Sequence, residues 1–300
     1  MISWQKIADS ISQATRTDFS IAHTSPISGG DSNQAWHLAG RAGSLHNESE
    51  AHYFVKLNAA DKAVMFTAER AGLAALAATG TVRVPKVITA GVAGQHSFLV
   101  LEYFDLCRSG NSELFGAQLA ALHRVQAAKF GWNQDNTLSL TPQQNTWSGD
   151  WPGFWREKRL GFQLDLAARN GYGGRLQISG RRLIDALPDL FAGYRPAASL
   201  LHGDLWGGNH AFLADGTPVI FDPAPYFGDR ETDIAMTELF GGFDTEFYAA
   251  YHAAYPLDAG YGNRKTLYNL YHILNHCNLF GGNYLQQAEG TMQSILGKLR

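Results

Sequence analysis

The sequence predicts an α+β chain of two lobes, a strand-rich N-lobe over residues 1–104 and a mainly helical C-lobe over residues 105–300. Short apolar runs separated by turn residues occupy most of the N-lobe, which is typical of an antiparallel sheet. Beyond Phe104 the apolar residues recur at helical spacing. A length of 300 residues also suits two lobes better than one small domain.

The N-lobe carries signals for two helices and four strands. In chain order they are a short amphipathic helix in the first twenty residues, a strand after Gly29-Gly30, the strand "HYFVKLN" ending near Lys56, a helix over 65–78, and the strands "VRVPKVI" and "SFLVLEYF". Alanines and leucines give the segment 65–78 its high helix propensity. Pro85 places "VRVPKVI" at an edge or an end of the sheet, because proline cannot donate to a strand ladder. The almost continuous apolar run of "SFLVLEYF" predicts a strand buried on both faces.

The C-lobe begins with "SELFGAQLAALHRVQ", whose apolar residues lie at helical spacing. One short β segment, over residues 210–222, interrupts the helical pattern. Two apolar runs, 211–213 and 219–221, are joined there by a turn that contains Asp215-Gly216. An Asp-Gly pair between apolar runs is a strong hairpin signal. The C-lobe is therefore predicted to contain a hairpin among its helices.

The composition argues against several classes of protein. A net charge of -3 leaves no excess of basic residues, so we expect no nucleic-acid partner. Cys107 and Cys277 are the only cysteines, too few for a disulfide framework or a cysteine zinc site. Since the sequence has neither an apolar run of roughly 18 residues nor a signal peptide, we expect no membrane span and a cytoplasmic location.

The stretch "LLHGDLWGGN" leaves an apolar run and places an acid and an amide in a glycine-rich turn. The predicted hairpin that follows doubles the chain back, so we expect Asp222 to return close to Asn209 and Asp204. Amide and carboxylate oxygens are hard ligands that suit Mg²⁺, which fits Asn209 and Asp222. A further carboxylate, that of Asp204, can accept a proton from a substrate hydroxyl. These are parts that phosphoryl transfer requires.

The N-lobe supplies residues that suit the nucleotide of such a reaction. Lys56 ends a predicted strand, and Glu69 lies thirteen residues later in the next predicted helix, so Glu69 can hold the lysine at the phosphates of ATP. Ser28-Gly29-Gly30 form a turn whose backbone N–H groups can approach phosphates. The C=O of Glu102 and the N–H of Phe104 can bond to adenine. Each part alone is weak evidence, but their order along the chain predicts a phosphotransferase that uses ATP and Mg²⁺.

The order and spacing of these residues resemble the protein-kinase-like fold in its small-molecule branch, alongside the aminoglycoside and choline kinases. Within that branch, four segments are similar to the fructosamine kinase family: "HGDLWGGN", "FDPAPYFGDRETDIAMTELFGGF", "PQQNTWSGDWPGFWREKRLGFQL" and "LYNLYHILNHCNLFGGNY". The resemblance covers nearly the whole chain, from about Ile27 to Tyr284. It implies a bilobal fold with the active site between the lobes.

The resemblance also implies an activity, the ATP-dependent phosphorylation of a ketosamine at O3 of its sugar, followed by release of the amine. It assigns Asp204 as the base, Asn209 and Asp222 as ligands of Mg²⁺, Lys56 as the phosphate-binding cation and Glu69 as its partner. The acceptor is either a small ketosamine, such as ribulosamine, erythrulosamine or fructosamine, or a glycated protein amine. Whether the chain is a monomer or a dimer stays open.

Three residues near these motifs are candidates for substrate contact. Trp206 either stacks on the sugar or wedges the loop onto the C-lobe. Asp229 and Glu231 follow Asp222 closely, and they contact either the substrate or only each other. Asp233 is expected at a helix start, as its N-cap or as an acceptor of backbone N–H groups from the catalytic loop.

Three histidines are expected to serve the structure rather than the chemistry. His202 is expected to hold the catalytic loop. The spacing of His272 and His276 on a predicted helix can suit zinc, but packing and hydrogen bonding are favoured.

Two other functions stay open, a kinase for another hydroxylated amine such as an aminoglycoside, and a pseudokinase that binds nucleotide without turnover. The presence of the base, both metal ligands and Lys56 argues against the pseudokinase.

Overall fold

The structure, a computed structural model, describes residues 1–28, 32–44 and 47–299. Within these ranges the chain forms two compact units. The first comprises Met1–Gly110 and Ala211–Asp222, and the second comprises Asn111–His210 and Pro223–Arg300. The first unit is rich in strands and the second in helices, so the predicted α+β class is confirmed.

The first unit is built on an antiparallel sheet. Its elements before Gly110 are α1 (Trp4–Thr15), β1 (Phe19–Ile27), β2 (Gln34–Ser44), β3 (Asn47–Ala59), α2 (Ala63–Ala78), β4 (Val87–Ala93) and β5 (His96–Glu102). The strands lie in the order β1-β2-β3-β5-β4, and each neighbouring pair is antiparallel. Ile7 and Ile11 lie one turn apart on α1 and are buried in the same core as Leu38 and Val55 of the sheet.

The inner strands of this sheet set the position of Lys56. β5 is buried over residues 97–101, as its apolar run predicts, and it lies between β3 and β4. β3 continues to Ala59 instead of ending near Lys56. Lys56 therefore lies inside the sheet, paired with Ala35 of β2 and Leu99 of β5.

β4 begins later than predicted. The predicted strand over 82–88 starts only at Val87, two residues after Pro85, and it lies at an edge of the sheet. Proline has no N–H to donate, so the residues around it stay outside the ladder. Arg83, two residues before the proline, instead forms a single parallel bridge with Val219.

The chain beyond Gly110, which contains the second unit and the 211–222 segment of the first, is mainly helical. From Asn111 onward the elements are α3 (Ser112–Leu122), β6 (Gln126–Ala127), β7 (Asn136–Leu138), β8 (Thr141–Gln143), α4 (Trp151–Phe154), a π-helical turn (Trp155–Gly161), α5 (Phe162–Arg169), α6 (Gly174–Leu190), β9 (Ala198–Leu200), β10 (His210–Phe212), β11 (Pro218–Ile220), β12 (Phe227–Gly228), α7 (Glu231–Thr237), α8 (Thr245–Ala254), α9 (Tyr261–Phe280) and α10 (Asn283–Lys298). α9 is buried over much of its length and packs against α5, α7 and α10. Trp151, Phe154 and Trp155 belong to the same core.

Short strands in the second unit were not predicted. β9 lies between β12 and β6 in a three-stranded sheet, and β7 pairs with β8. The prediction of a single β segment, at 210–222, was therefore wrong for this part of the chain. Strands of two or three residues are too short to show the alternation of apolar and polar positions that identifies a strand.

The hairpin formed by β10 and β11 packs with the first unit. The N–H of Cys107 donates to the C=O of Phe212 at 2.7 Å, and the N–H of Ile220 donates to the C=O of Arg83 at 3.0 Å. The predicted division after residue 104 assigned this hairpin to the helical lobe, whereas its backbone bonds attach 211–222 to the strand-rich unit.

Across the described part of the chain, no helix combines the length and the apolar character that a membrane span requires.

Candidate active site

Lys56 is a buried, ion-paired residue of the first unit. Its side chain is buried between two carboxylates, with Nζ 2.5 Å from Oε1 of Glu69 on α2 and 2.6 Å from Oδ1 of Asp222. Burial alone would lower the pKa of Lys56, but Asp222 and Glu69 outweigh it and hold the pKa above its ordinary value. The lysine is therefore a permanently charged cation in a fixed position, as the predicted pairing with Glu69 requires.

The hairpin holds Asp222 through a tight turn. The N–H of Leu213 donates to the C=O of Thr217 at 2.8 Å, and Gly216 has a φ of 84°, so the predicted turn at Asp215-Gly216 is confirmed. Asp222 follows β11 with a φ of 58°, an unusual backbone conformation for a residue with a Cβ. Its side chain is 42 % exposed, so the carboxylate can accept a further ligand besides Lys56.

The other residues predicted to bind the nucleotide are Glu102, Phe104 and Ser28-Gly29-Gly30. Glu102 ends β5, and its carboxylate accepts from Nη2 of Arg83 at 2.6 Å and from the N–H of Lys86 at 3.1 Å. The Arg83 guanidinium lies over the Phe104 ring, 5.3 Å from its centre. Ser28 is exposed just after β1, while Gly29 and Gly30 lie outside the described residues. The adenine-binding and phosphate-binding roles of these residues stay predictions.

In the second unit, the loop that carries Asp204 is fixed by its backbone. Oδ2 of Asp233 accepts the N–H of His202 at 2.7 Å, and Oδ1 accepts the N–H of Gly203 at 2.9 Å. Gly203 has a φ of 85°, and a Cβ there would lie 2.0 Å from the C=O of Ala224. Only glycine fits, which explains the His-Gly-Asp order of the motif.

Asp233 anchors this loop rather than capping a helix. The N-cap of α7 is Arg230, so Asp233 lies in the first turn, and the predicted N-cap role was wrong. Its carboxylate also bonds to Nε2 of the buried His123 at 3.1 Å, and His123 Nδ1 lies 2.7 Å from the hydroxyl of Tyr251. Although burial alone would raise it, the bond to His123 holds the pKa of Asp233 below its ordinary value. The alternative prediction, that Asp233 accepts N–H groups from the catalytic loop, is confirmed.

Asp204 and Asn209 form one hydrogen-bonded turn. Nδ2 of Asn209 donates to the C=O of Asp204 at 2.8 Å and to its Oδ2 at 3.2 Å. The donating nitrogen fixes the orientation of the amide and leaves its oxygen for a cation. The Asp204 side chain is 22 % exposed, so its carboxylate is not sealed in the core. Asp222 belongs to the first unit, whereas Asp204 and Asn209 belong to the second. That Asp222 lies close to these two residues stays a prediction.

Two further side chains lie near this loop. Trp206 is 39 % exposed and meets Phe240 edge to face, with ring centres 6.1 Å apart. Its indole is therefore open to a ligand, while its stacking on a sugar stays a prediction. His272 of α9 places Nδ1 3.7 Å from Oδ1 of Asp204. His276 Nδ1 bonds to the backbone C=O of His272 at 2.8 Å, which agrees with the predicted hydrogen-bonding role.

Asp229 and Glu231 are buried, so their predicted contact with a substrate is not supported by their positions. Asp229 is 1 % exposed and accepts from the hydroxyls of Tyr268 at 2.5 Å and Tyr194 at 3.0 Å. Glu231 is 0 % exposed and binds the guanidinium of Arg264 through Nε at 2.7 Å and Nη2 at 2.9 Å. These bonds occupy both carboxylates and hold the start of α7 against α9.

The burial of Asp229 has a consequence for stability. Burial, with the charge of Glu231, raises the pKa of Asp229 from 3.8 to about 7. Because the folded chain binds this proton more tightly than the unfolded chain, the resulting stability is present at low pH and is lost as pH rises through the folded pKa.

Asp229 is expected to lower the unfolding free energy of the unaltered chain as the pH rises from about 4 to about 7. In Asp229→Asn this decrease should be smaller, since the amide does not titrate. Denaturant unfolding of both proteins across this range measures the difference. Equal slopes would show that Asp229 stays ionised when folded.

The chain matches known proteins over nearly its whole length. The family model described as fructosamine kinase matches residues 3–298. A protein of Synechocystis sp. named as a probable ketoamine kinase is 47 % identical, covering 98 % of this chain and 97 % of the relative. The chloroplastic protein-ribulosamine 3-kinase of Arabidopsis thaliana is 41 % identical, covering 91 % of this chain and 82 % of the relative.

Solved structures agree with this relationship. A Haemophilus somnus 129PT protein assigned to the fructosamine-3-kinases has a TM-score of 0.86 and 31 % identity, and the match covers 98 % of each chain. The aminoglycoside phosphotransferase APH(2'')-Ib has a TM-score of 0.62 at 12 % identity, with 97 % of this chain and 98 % of that chain covered, and it shows the shared protein-kinase-like fold alone. The family model and the curated relatives together establish that the chain belongs to the fructosamine kinase family.

Proposed function

We propose that the chain transfers the γ-phosphoryl group of ATP to O3 of the sugar of a ketosamine, with Asp204 as the base. Membership of the fructosamine kinase family makes it a phosphotransferase that acts on an alcohol group of a ketosamine. The residue roles and the site of phosphorylation are the parts that we propose.

The observation that carries the proposal is the ion-paired Lys56. Burying a lysine costs several kcal/mol of desolvation free energy. Because an ion pair often does not repay this cost, stabilisation of the fold alone is a weak explanation for a buried lysine. Here Nζ of a residue on an inner strand of the sheet is held by two carboxylates, at 2.5 Å and 2.6 Å. This is the arrangement expected for a cation that must meet phosphate oxygens in a fixed position.

The described residues also fit the cofactors. Asp222 offers a carboxylate that is 42 % exposed, and Asn209 offers an amide oxygen, so the donor set is the hard oxygen type that Mg²⁺ takes. When bound, Mg²⁺ neutralises charge on the phosphate oxygens. ATP would be held by Lys56, with the backbone of Glu102 and Phe104 at the adenine, and the sequence predicts that Ser28-Gly29-Gly30 approach its phosphates.

Asp204 supplies the chemistry that the chain itself performs. Its partly exposed carboxylate accepts a hydrogen bond from the acceptor hydroxyl and orients the oxygen for in-line attack. A bond then forms between that oxygen and the γ-phosphorus, while the bond from the γ-phosphorus to the β–γ bridging oxygen breaks and ADP leaves. The hydroxyl proton passes to Asp204. The amide of Asn209 keeps the carboxylate in place through its bond to Oδ2.

The acceptor is proposed to be a ketosamine with a stacking sugar face. Two relatives carry names that refer to a ketoamine and to protein-bound ribulosamine. The exposed ring of Trp206, two residues after Asp204, can cover the apolar C–H face of such a sugar. A free ketosamine and a glycated protein amine both present this face.

The proposal is tested by a panel of acceptors. We expect ADP release in the presence of MgATP to rise with ribulosamine-, erythrulosamine- or fructosamine-type acceptors, and to stay at the background rate with choline or an aminoglycoside. A coupled assay of ADP, with a reaction lacking acceptor as control, measures this. Transfer to an aminoglycoside alone would favour a kinase for another hydroxylated amine, and MgATP binding without turnover on any acceptor would favour a pseudokinase.

A further inference from the structure

His272 is a buried histidine directly beside the base. It lies in the middle of α9 and is 5 % exposed, and its Nδ1 is 3.7 Å from Oδ1 of Asp204. Among the residues that the structure describes, no hydrogen bond is made by its side chain, in contrast to His276, whose Nδ1 bonds to the C=O of His272. Its ring nitrogens are not among the fully buried polar atoms that lack a partner, so each of them can still form a hydrogen bond with a bound ligand.

The imidazole does not form an ion pair with Asp204. Burial, with a smaller effect of His276, lowers the pKa of His272 to about 3. The ring is therefore neutral and offers one donor and one acceptor. The separation of 3.7 Å is too long for a direct hydrogen bond between His272 and Asp204. A nitrogen and an oxygen at this distance can instead each bond to one of two neighbouring hydroxyls of the same sugar.

We propose that His272 is a specificity-determining residue of the acceptor site, which hydrogen-bonds the sugar hydroxyl next to the one that Asp204 orients. This inference rests on the proposed function and deepens it. Asp204 and His272 together would select a vicinal diol and so determine which hydroxyl receives the phosphoryl group. For transfer to O3, the neighbouring hydroxyl on the far side from the amine is O4.

Two variants and one control test the inference. His272→Leu removes both ring nitrogens, and we expect it to raise the KM for the ketosamine about 10-fold while the KM for ATP is unchanged. His272→Asn keeps a donor and an acceptor and should retain a KM within about threefold of the original. Tyr271→Phe removes a neighbouring buried bond on α9, from the Tyr271 hydroxyl to Oε1 of Gln143 at 2.9 Å, and should alter thermal stability without changing either KM.

A 4-deoxy ketosamine gives a readout that a structural role would not affect. The unaltered chain should use the 4-deoxy acceptor about 10-fold less efficiently than the parent, and His272→Leu should lose this preference. A folded His272→Leu that binds MgATP, keeps the original KM and still discriminates against the 4-deoxy acceptor would overturn this inference but leave the proposed function standing. So would equal use of both acceptors by the unaltered chain, whether or not the leucine variant folds. Failure of the unaltered chain to phosphorylate any ketosamine would overturn the proposed function as well.

Discussion

Asp204→Asn should lower kcat by at least ~10²-fold while MgATP binding stays nearly intact. The substitution removes the group that accepts the proton but keeps the size of the side chain. The loop should keep its shape, because Asp233 holds the backbone N–H groups of His202 and Gly203, and Asn209 bonds to the C=O of residue 204. Steady-state kinetics with a ketosamine, together with equilibrium binding of MgATP, measure the two effects separately.

Asp185→Asn is the matched control for this loss. Asp185 is an exposed residue of α6 in the same unit, so the control makes the same change of charge away from the catalytic loop. We expect its kcat to equal that of the unaltered chain. If Asp204→Asn also kept the original kcat, the role assigned to Asp204 would be excluded.

Lys56→Met should affect both nucleotide use and stability. The KM for ATP should rise and kcat should fall, so that kcat/KM decreases at least ~10²-fold, because the cation assigned to the phosphates is lost. The free energy of unfolding should fall by about 3 kcal/mol, because Glu69, whose side chain is 13 % exposed, is left as an unpaired buried carboxylate. Asp222 is 42 % exposed and should contribute less to this cost.

Two further proteins separate the effects of Lys56 on stability and on activity. In Lys56→Met/Glu69→Gln the unpaired carboxylate is removed, so we expect part of the stability to return while ATP turnover stays low. Lys62→Met, a change at an exposed lysine shortly after β3, should alter neither quantity. An unchanged affinity of Lys56→Met for ATP would contradict the assignment of this residue to the phosphates.

The features of the fold that could be predicted depend on local patterns. The turn at Asp215-Gly216, the buried strand β5 and the alanine-rich helix α2 each carry their signal within a few neighbouring residues. The strands β6, β9 and β12 carry no such signal, because pairing with distant segments creates them. The position of Lys56 inside β3, rather than at its end, also depends on its partners β2 and β5.

The residues of the site also divide into those that a local sequence pattern could predict and those that depend on distant partners. The Lys56–Glu69 pair could be predicted from spacing and family resemblance, since one element follows the other directly. Asp229 and Glu231 were assigned to the substrate because they follow Asp222 closely, yet sequence distance does not fix the direction of a side chain. Tyr268 and Arg264, 39 and 33 residues further along the chain, bury the two carboxylates. His272 gave only a helical spacing, and its approach to Asp204 depends on how α9 packs.

The most direct test of the proposed reaction follows the acceptor itself. A peptide whose lysine carries a ribulose or fructose adduct is incubated with the chain and MgATP, and its mass is followed over time. We predict that the adduct gains one phosphoryl group, that the phosphorus is bonded to O3 by NMR, and that the free lysine peptide then appears. Consumption of ATP at the same rate with and without the glycated peptide, and no phosphorylated adduct, would contradict the account.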